Sequence, residues 1–255
     1  MILDKFNLKG KSGIVTGGGT GLGKGMATAL VQAGAELVIA GRRMDVLERA
    51  AKEMSQYGGP VIPEQTDISK MGDIQKLVNQ TLKAFGKIDF LFNNAGTIRR
   101  APCEEHSEAD WDTVIQTNLK GPFFLAQAVA KTMIAAQRKG KIINTSSLIS
   151  VIGGKNVVSY AASKGGITQI TKSMANEWAK YNILVNAIGP GWFITDVTQG
   201  VREDKERSSG IVARIPLGRW GNPEELGGVA VFLASDASDY MTGQVIFVDG
   251  GWLSN

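Results

Sequence analysis

Short apolar runs alternate with longer amphipathic stretches along all 255 residues, and this constrains the fold more than any other feature of the chain. The strand candidates are Gly13–Thr16, Glu36–Ala40, Val61–Ile62, Ile88–Phe92, Lys141–Asn144, Ile183–Ala187 and Val245–Val248. Helix candidates run from about Leu22 to Ala33, Met44 to Tyr57, Lys70 to Phe85, Asp110 to Gln137, Val158 to Lys180 and Pro223 to Leu233. Apolar runs with few interior polar residues suit strands covered on both faces, and their alternation with helices indicates a parallel sheet. Right-handed crossovers then lead to an α/β, doubly wound sheet with helices on both faces. No linker, repeat or low-complexity stretch divides the chain, so residues 1–255 are expected to form one domain.

One stretch, from about Gly189 to Pro216, breaks the alternation. It begins Gly-Pro-Gly, carries Trp192 and Phe193, and ends in the charged run Arg202-Glu-Asp-Lys-Glu-Arg207. A long insertion with little regular structure of its own suits a lid over a substrate. The charged run alone would also suit a solvated surface helix. The aromatic pair just past a strand's C-terminal end lies where such sheets bind ligands, which makes Trp192 a candidate substrate contact.

Composition excludes several kinds of function. The net charge of +4 comes from scattered basic residues, with no basic stripe of the kind nucleic-acid binding needs. A single cysteine, Cys103, allows neither an intrachain disulfide nor a cysteine zinc cluster. A single histidine, His106, leaves little room for a Ser/His triad or a histidine metal site, and its acidic surroundings suggest a solvated helix start. No apolar run is long enough to span a bilayer, and Met1-Ile-Leu-Asp-Lys-Phe6 carries charges where a secretion signal needs an apolar core. A cytoplasmic protein without a metal, nucleic-acid or membrane partner is expected.

The first apolar run leads into Thr16-Gly-Gly-Gly-Thr-Gly-Leu-Gly23, which opens the first helix. Glycines here permit positive φ and a close backbone approach, and the free amides of a helix start attract a pyrophosphate. The spacing is not G-x-G-x-x-G, so the strand–turn–helix context carries the reading. After the second strand candidate the chain reads Ala40-Gly-Arg-Arg43, with no carboxylate for the ribose hydroxyls of NAD. Arg42 and Arg43 suit the 2′-phosphate of NADP instead. NADP(H) is the expected cofactor, with NAD(H) possible.

Ser147, Tyr160 and Lys164 supply candidate chemistry. Tyr160 and Lys164 are four residues apart in a helix-forming stretch and share a face. A neighbouring ammonium favours the phenolate, so the pair is expected to act as an acid/base near neutrality. Ser147, after the apolar run Lys141–Asn144, could hydrogen-bond the substrate oxygen. Beyond the fourth strand candidate, Arg100 could hold a substrate carboxylate bidentately or bridge to Glu104 or Glu105.

Together these motifs resemble those of the short-chain dehydrogenase/reductase family over nearly the whole chain. The matching pieces are Thr16-Gly-x-x-x-Gly-x-Gly23, Asp67, Asn93-Asn-Ala-Gly96, Asn118, Ser147, Tyr160-x-x-x-Lys164 and Pro190-Gly191. The resemblance implies a Rossmann fold and a catalytic set of Asn118, Ser147, Tyr160 and Lys164. Ser147 rather than Ser146 has the family's distance to the tyrosine. Asn118 would hold a water in a proton relay to Lys164, and Lys164 would also bind the nicotinamide ribose. The cofactor would rest on Gly17, Gly19, Thr20, Gly21, Leu22 and Gly23, with Asp67 and Ile68 at adenine and Asn94, Ala95 and Gly96 along the ribose. Pro190, Gly191, Phe193 and Thr195 would border the nicotinamide. Many NADP-preferring relatives place a basic residue where this chain has Thr20, so phosphate recognition would rest mainly on Arg42, with Arg43 assisting.

Within the family, Asn94-Ala-Gly-Thr-Ile-Arg-Arg100, Met174-Ala-Asn-Glu-Trp-Ala-Lys180 and Val248-Asp-Gly-Gly-Trp-Leu253 are similar to sugar-acid dehydrogenases of the gluconate 5-dehydrogenase and 2-deoxy- or 2-keto-3-deoxygluconate dehydrogenase type. The resemblance implies hydride transfer between a nicotinamide and a secondary alcohol or ketone of a sugar acid, in a homotetramer built through two long helices and the last strand. A 3-oxoacyl-[acyl-carrier-protein] reductase shares nearly every motif but would want a basic docking patch, which the sequence does not show. A non-catalytic NADP-binding sensor would be expected to have lost part of the Ser147, Asn118, Tyr160 and Lys164 set.

Overall fold

A computed structural model of the protein describes residues 1–254. Its centre is a seven-stranded sheet, all parallel, in the order β3-β2-β1-β4-β5-β6-β7. The strands are β1 (Ser12–Thr16), β2 (Glu36–Gly41), β3 (Val61–Gln65), β4 (Phe90–Asn93), β5 (Gly140–Thr145), β6 (Ile183–Pro190) and β7 (Val245–Val248). All seven strand candidates are present. The order reverses between β1 and β4, and in sheets of this kind the crevice at the strands' carboxyl ends there binds ligands.

The helices are α1 (Gly21–Gln32), α2 (Met44–Ser55), α3 (Met71–Phe85), α4 (Glu108–Ile115), α5 (Gly121–Ala135), α6 (Val158–Trp178), α7 (Gln199–Glu203), α8 (Lys205–Arg214) and α9 (Gly227–Ala234). Side chains alternate between the two faces of the sheet, and the five inner strands are covered on both. Val15, Leu37, Ile39, Phe90, Phe92 and Ile143 meet Met26, Leu30, Leu47 and Leu233 on one side of the sheet. Ile14, Val38, Leu91, Ile142 and Val185 meet Leu77, Val78, Leu125, Val129 and Met133 on the other. No helix among the described residues is long and apolar enough to cross a membrane.

Away from the cleft, three features differ from the sequence reading. The single helix expected from Asp110 to Gln137 is broken by a π turn over Gln116–Lys120, and Ser107 caps its start by accepting the Asp110 amide at 3.2 Å. The segment after β6 is not irregular: it forms α7 and α8, and Asp204 caps α8 by accepting the Arg207 amide at 3.0 Å. The charged run therefore lies at a junction of two helices, which hydrophobic periodicity could not reveal. His106 is half-buried, not solvated. Its Nε2 lies 2.9 Å from Ser159 Oγ and its ring meets Trp111 edge-on.

Candidate active site

The carboxyl ends of β1, β4, β5 and β6 open onto one continuous cleft. At one end it is lined by Gly17, Gly19, Thr20, Arg42, Arg43, Asp67, Ile68, Ala95 and Gly96. At the other it is lined by Gly21, Leu22, Gly23, Asn94, Ser147, Tyr160, Lys164, Pro190, Gly191, Phe193 and Thr195, with Gly17, Thr20, Ala95 and Gly96 common to both ends. Every residue assigned to the cofactor in the sequence thus borders this one cleft.

Two glycines show why the turn has its composition. Gly17 has φ +67°, in the left-handed region that disfavours side chains. At Gly23 a Cβ would lie 2.2 Å from the Gly17 carbonyl oxygen, so only a glycine lets α1 begin against the turn. Thr16, outside the glycines, fixes the turn to β4. Its Oγ1 accepts the Asn94 and Ala95 amides, both at 3.0 Å, and donates to the Phe92 carbonyl at 3.3 Å. The sequence held no signal for this role because the partners are nearly eighty residues away.

Thr20 stands at the N-cap of α1 without a side-chain cap, so the helix's first amides face the cleft unmatched by the chain itself. Arg42 and Arg43 form no ion pair among the described residues. Burial alone would raise the Asp67 carboxyl, but hydrogen bonds from Ser69, with Lys70 and Arg42, take it below its ordinary value. Ser69 supplies those bonds from its amide at 3.0 Å and its hydroxyl at 2.7 Å. Uncapped amides, a backbone cradle and two unpaired guanidiniums fit a dinucleotide carrying an extra phosphate.

At the catalytic end, Ser146 is committed to the core through Thr168 Oγ1 at 2.9 Å. Ser147 Oγ accepts the Ile149 amide at 3.2 Å, so its own hydrogen can be donated into the cleft, towards Tyr160 or a substrate oxygen. Lys164 Nζ donates to the Thr145 carbonyl at 2.6 Å and lies 5.5 Å from the centre of the Tyr160 ring. Asn118 is buried: its Nδ2 donates to the Thr97 carbonyl at 2.8 Å and Ser163 Oγ at 3.2 Å, and its Oδ1 accepts the Thr97 amide at 2.8 Å. Both of its N–H donors are spent on holding the loop after β4 against α6.

The electrostatics correct one expectation. The Tyr160 phenol lies above its ordinary value because desolvation of the hydroxyl dominates; the Ser147 hydrogen bond and the Arg100 charge oppose that rise. Lys164 does not lower it. Burial pushes Lys164 itself down to about 8, so the ammonium expected to stabilise the phenolate is itself weakened.

Trp192 is the other correction. It does not line the cleft: its ring packs between Trp220 and Trp252 at 5.5 Å and 5.8 Å in a small core beneath α7 and α8. Phe193 likewise turns its ring into the main core, which leaves its backbone at the cleft wall. Alternation along the chain end explains both, since aromatic rings following a strand find apolar cover before they find a ligand.

Arg99 and Arg100 separate clearly. Arg99 Nε pairs with Asp110 at 3.1 Å. Arg100 forms no ion pair among the described residues, with Glu104 and Glu105 included. Its guanidinium is lowered first by desolvation and then by the Arg207 charge, while Tyr160 raises it. Arg100 is exposed and is not among the residues lining the cleft, although its charge is felt at Tyr160.

Comparisons with known proteins agree with this geometry. Residues 17–253 match the family model described as enoyl-(acyl carrier protein) reductase. The chain is 49% identical to the 2-dehydro-3-deoxy-D-gluconate 5-dehydrogenase of Escherichia coli, over 100% of both chains. It is 47% identical to the protein of the same name from Dickeya dadantii, again over 100% of both. Among solved structures, a gluconate 5-dehydrogenase from Burkholderia cenocepacia in complex with NADP and tartrate superposes with a TM-score of 0.95, at 38% identity and covering 100% of each chain.

Proposed function

Because the chain belongs to the short-chain dehydrogenase/reductase family, we propose that it oxidises a secondary alcohol of a sugar acid, or reduces the corresponding ketone, using NADP(H). A 2-keto-3-deoxygluconate-type acid is the first substrate class to test, since relatives of 47% and 49% identity carry that name. The observation that carries the reading is the convergence of Ser147, Tyr160 and Lys164 in a cleft continuous with the glycine turn.

Bound in this cleft, the nicotinamide would accept or give the hydride. The Gly17–Gly23 turn would seat the pyrophosphate, Arg42 and Arg43 the 2′-phosphate, and Asp67 and Ile68 the adenine. Lys164 would hold the ribose with the donors not given to Thr145. In the reducing direction the Tyr160 hydroxyl donates its proton to the carbonyl oxygen. Ser147 donates a hydrogen bond to the same oxygen as negative charge develops, a stabilisation made mainly in the transition state. A raised phenol pKa suits that direction, because it keeps Tyr160 protonated. Asn118 would join the proton relay through its oxygens, its N–H donors being committed. Arg100 would pair with the substrate carboxylate, and the segment at about 189–216 would close over the bound acid and exclude water.

The last strand supports assembly as a homotetramer: β7 is a half-exposed edge without a proline, whereas the opposite edge, β3, carries Pro63.

Following the absorbance of NADPH and NADH with keto-sugar acids, neutral ketones and acetoacetyl thioesters tests the reading. Activity confined to thioesters would replace it with acyl reduction. Arg42→Asp should weaken NADP binding at least about tenfold, the worth of one charge-assisted contact, and favour NAD. A wild type that already prefers NAD would overturn the phosphate role of Arg42.

A further inference from the structure

The chain leaving β6 forms one wall of the catalytic end of the cleft, where Phe193, Thr195 and Thr198 all line it. Around Phe193 this wall is fixed by a neighbouring loop: Ile194 N–H donates to the Gly221 carbonyl at 2.8 Å and Gly221 N–H to the Trp192 carbonyl at 2.9 Å. Thr195 is held differently, by two side chains that come later in the chain. Thr198 Oγ1 accepts the Thr195 amide at 3.1 Å and donates to the Phe193 carbonyl at 2.7 Å, with the Thr195 carbonyl a second acceptor at 3.0 Å. Arg202 Nη2 donates to the same Thr195 carbonyl at 3.3 Å.

Thr198 is the N-cap of α7 and Arg202 lies four residues on, so both reach back from one face of that helix. Val201 anchors α7 by packing with Leu148 and Ile211 in the small core beneath α8. On its other side Thr195 meets the start of α1, where a Cβ on Gly21 would lie 3.4 Å from Thr195 Cγ2. Thr195 therefore stands between the glycine turn and α7, with its amide and its carbonyl both taken by side chains of α7. It cannot shift without breaking those bonds. The adenosine end of the cleft is built separately: among the described residues, none that lines it comes from β6 or beyond.

We propose that Thr198 and Arg202 are positioning residues for the nicotinamide half of the cofactor, acting through the backbone of Thr195. This rests on the NADP(H) reading above and deepens it. Their hydrogen bonds set the wall of the catalytic end, so affinity for the nicotinamide half depends on them and affinity for the adenosine half does not. Removing the Thr198 hydroxyl leaves the Thr195 amide and the Phe193 carbonyl without their partner, and the wall must move to find others. Serine in its place keeps the oxygen that makes both bonds and loses only a methyl group.

Calorimetric titration with NADP and with adenosine 2′,5′-bisphosphate, which lacks the nicotinamide and its ribose, tests the proposal without turnover. Thr198→Val should bind NADP about 5- to 10-fold more weakly and the bisphosphate within about twofold of wild type. Thr198→Ser should bind both ligands within about twofold of wild type. Arg202→Met, which removes one of the bonds to Thr195, should weaken NADP about threefold and again spare the bisphosphate. It decides the case from α7 alone should Thr198→Val fail to fold. Equal weakening of both ligands in these variants would assign Thr198 and Arg202 to general stability and overturn the positioning role. Unchanged NADP affinity in Thr198→Val and Arg202→Met would overturn it as well. A loss in Thr198→Ser as large as in Thr198→Val would show that the methyl group matters and not the hydroxyl, against the proposal. A wild type that binds neither ligand would overturn the NADP reading, and this role with it.

Discussion

Tyr160 and Lys164 show how burial reshapes the chemistry that spacing suggests. Their four-residue separation is legible in sequence, as is the choice of Ser147; the sign of the phenol's shift is not, because desolvation depends on residues brought in from β5 and the loop after β4. Removing the Tyr160 hydroxyl while keeping the ring should leave NADPH affinity near wild type and lower kcat about 10²- to 10⁴-fold, the usual worth of acid/base catalysis. Parallel calorimetry and turnover measurements on Tyr160→Phe check this, and undiminished turnover would remove Tyr160 from the mechanism. Lys164 makes a prediction of the opposite kind for stability. Moving a lysine from 10.5 to about 8 by burial corresponds to about 3 kcal/mol of destabilisation at neutral pH. Replacing it with methionine forfeits one hydrogen bond, worth about 1–2 kcal/mol, so Lys164→Met should abolish turnover yet unfold about 1–2 kcal/mol less readily. The sign follows from proton counts. Below pH 8 both folded and unfolded wild type hold the lysine proton, and the full penalty applies. From pH 8 towards 10.5 only the unfolded chain still holds it, so wild-type stability rises and the gap closes. Tyr160 acts the other way, but only above its ordinary value of 10.0. Urea titrations from pH 7 to pH 9.5 would test this, and a gap that widens with pH would contradict it.

At the scale of elements, the strands are the most legible part of the chain, because burial on both faces writes the inner ones as apolar runs. What escaped detection depends on distant contacts. The π turn at Asn118 interrupts a continuous helical pattern, and its side chain is held by Thr97 and Ser163 from two other elements. Trp192 looked like a ligand contact because nothing local announces Trp220 and Trp252. The glycine turn is the case where sequence and packing agree most closely. In Gly23→Ala the new methyl would also lie 2.4 Å from Asn94 Nδ2, and neither the Gly17 backbone nor a side chain already donating to Thr16 can easily yield. The expected cost is about 1–3 kcal/mol of stability, with NADPH binding weakened at least about tenfold as the amides at the start of α1 are displaced. Chemical denaturation with calorimetry would read both, and wild-type values for either would show that the turn tolerates displacement.

On the scale of the whole molecule, the two sheet edges differ, and the proposed tetramer follows from that difference. Light scattering should give the mass of four chains, and a proline at Phe247, which would remove a backbone donor from β7, should shift it towards smaller species. A monomeric wild type would remove this proposal and leave the cleft unchanged. The three tryptophans under α8 carry a separate consequence. Trp220 Nε1 donates to Ser208 Oγ at 3.2 Å, and Arg214 covers Trp252, so α8 cannot tilt without disturbing both indoles. With the Trp192 ring within 6 Å of each, the cluster should give a coupled near-ultraviolet circular dichroism band and an emission spectrum set by how α8 is seated. The protein thus contains its own optical gauge of the segment proposed to close, needing neither label nor substrate turnover.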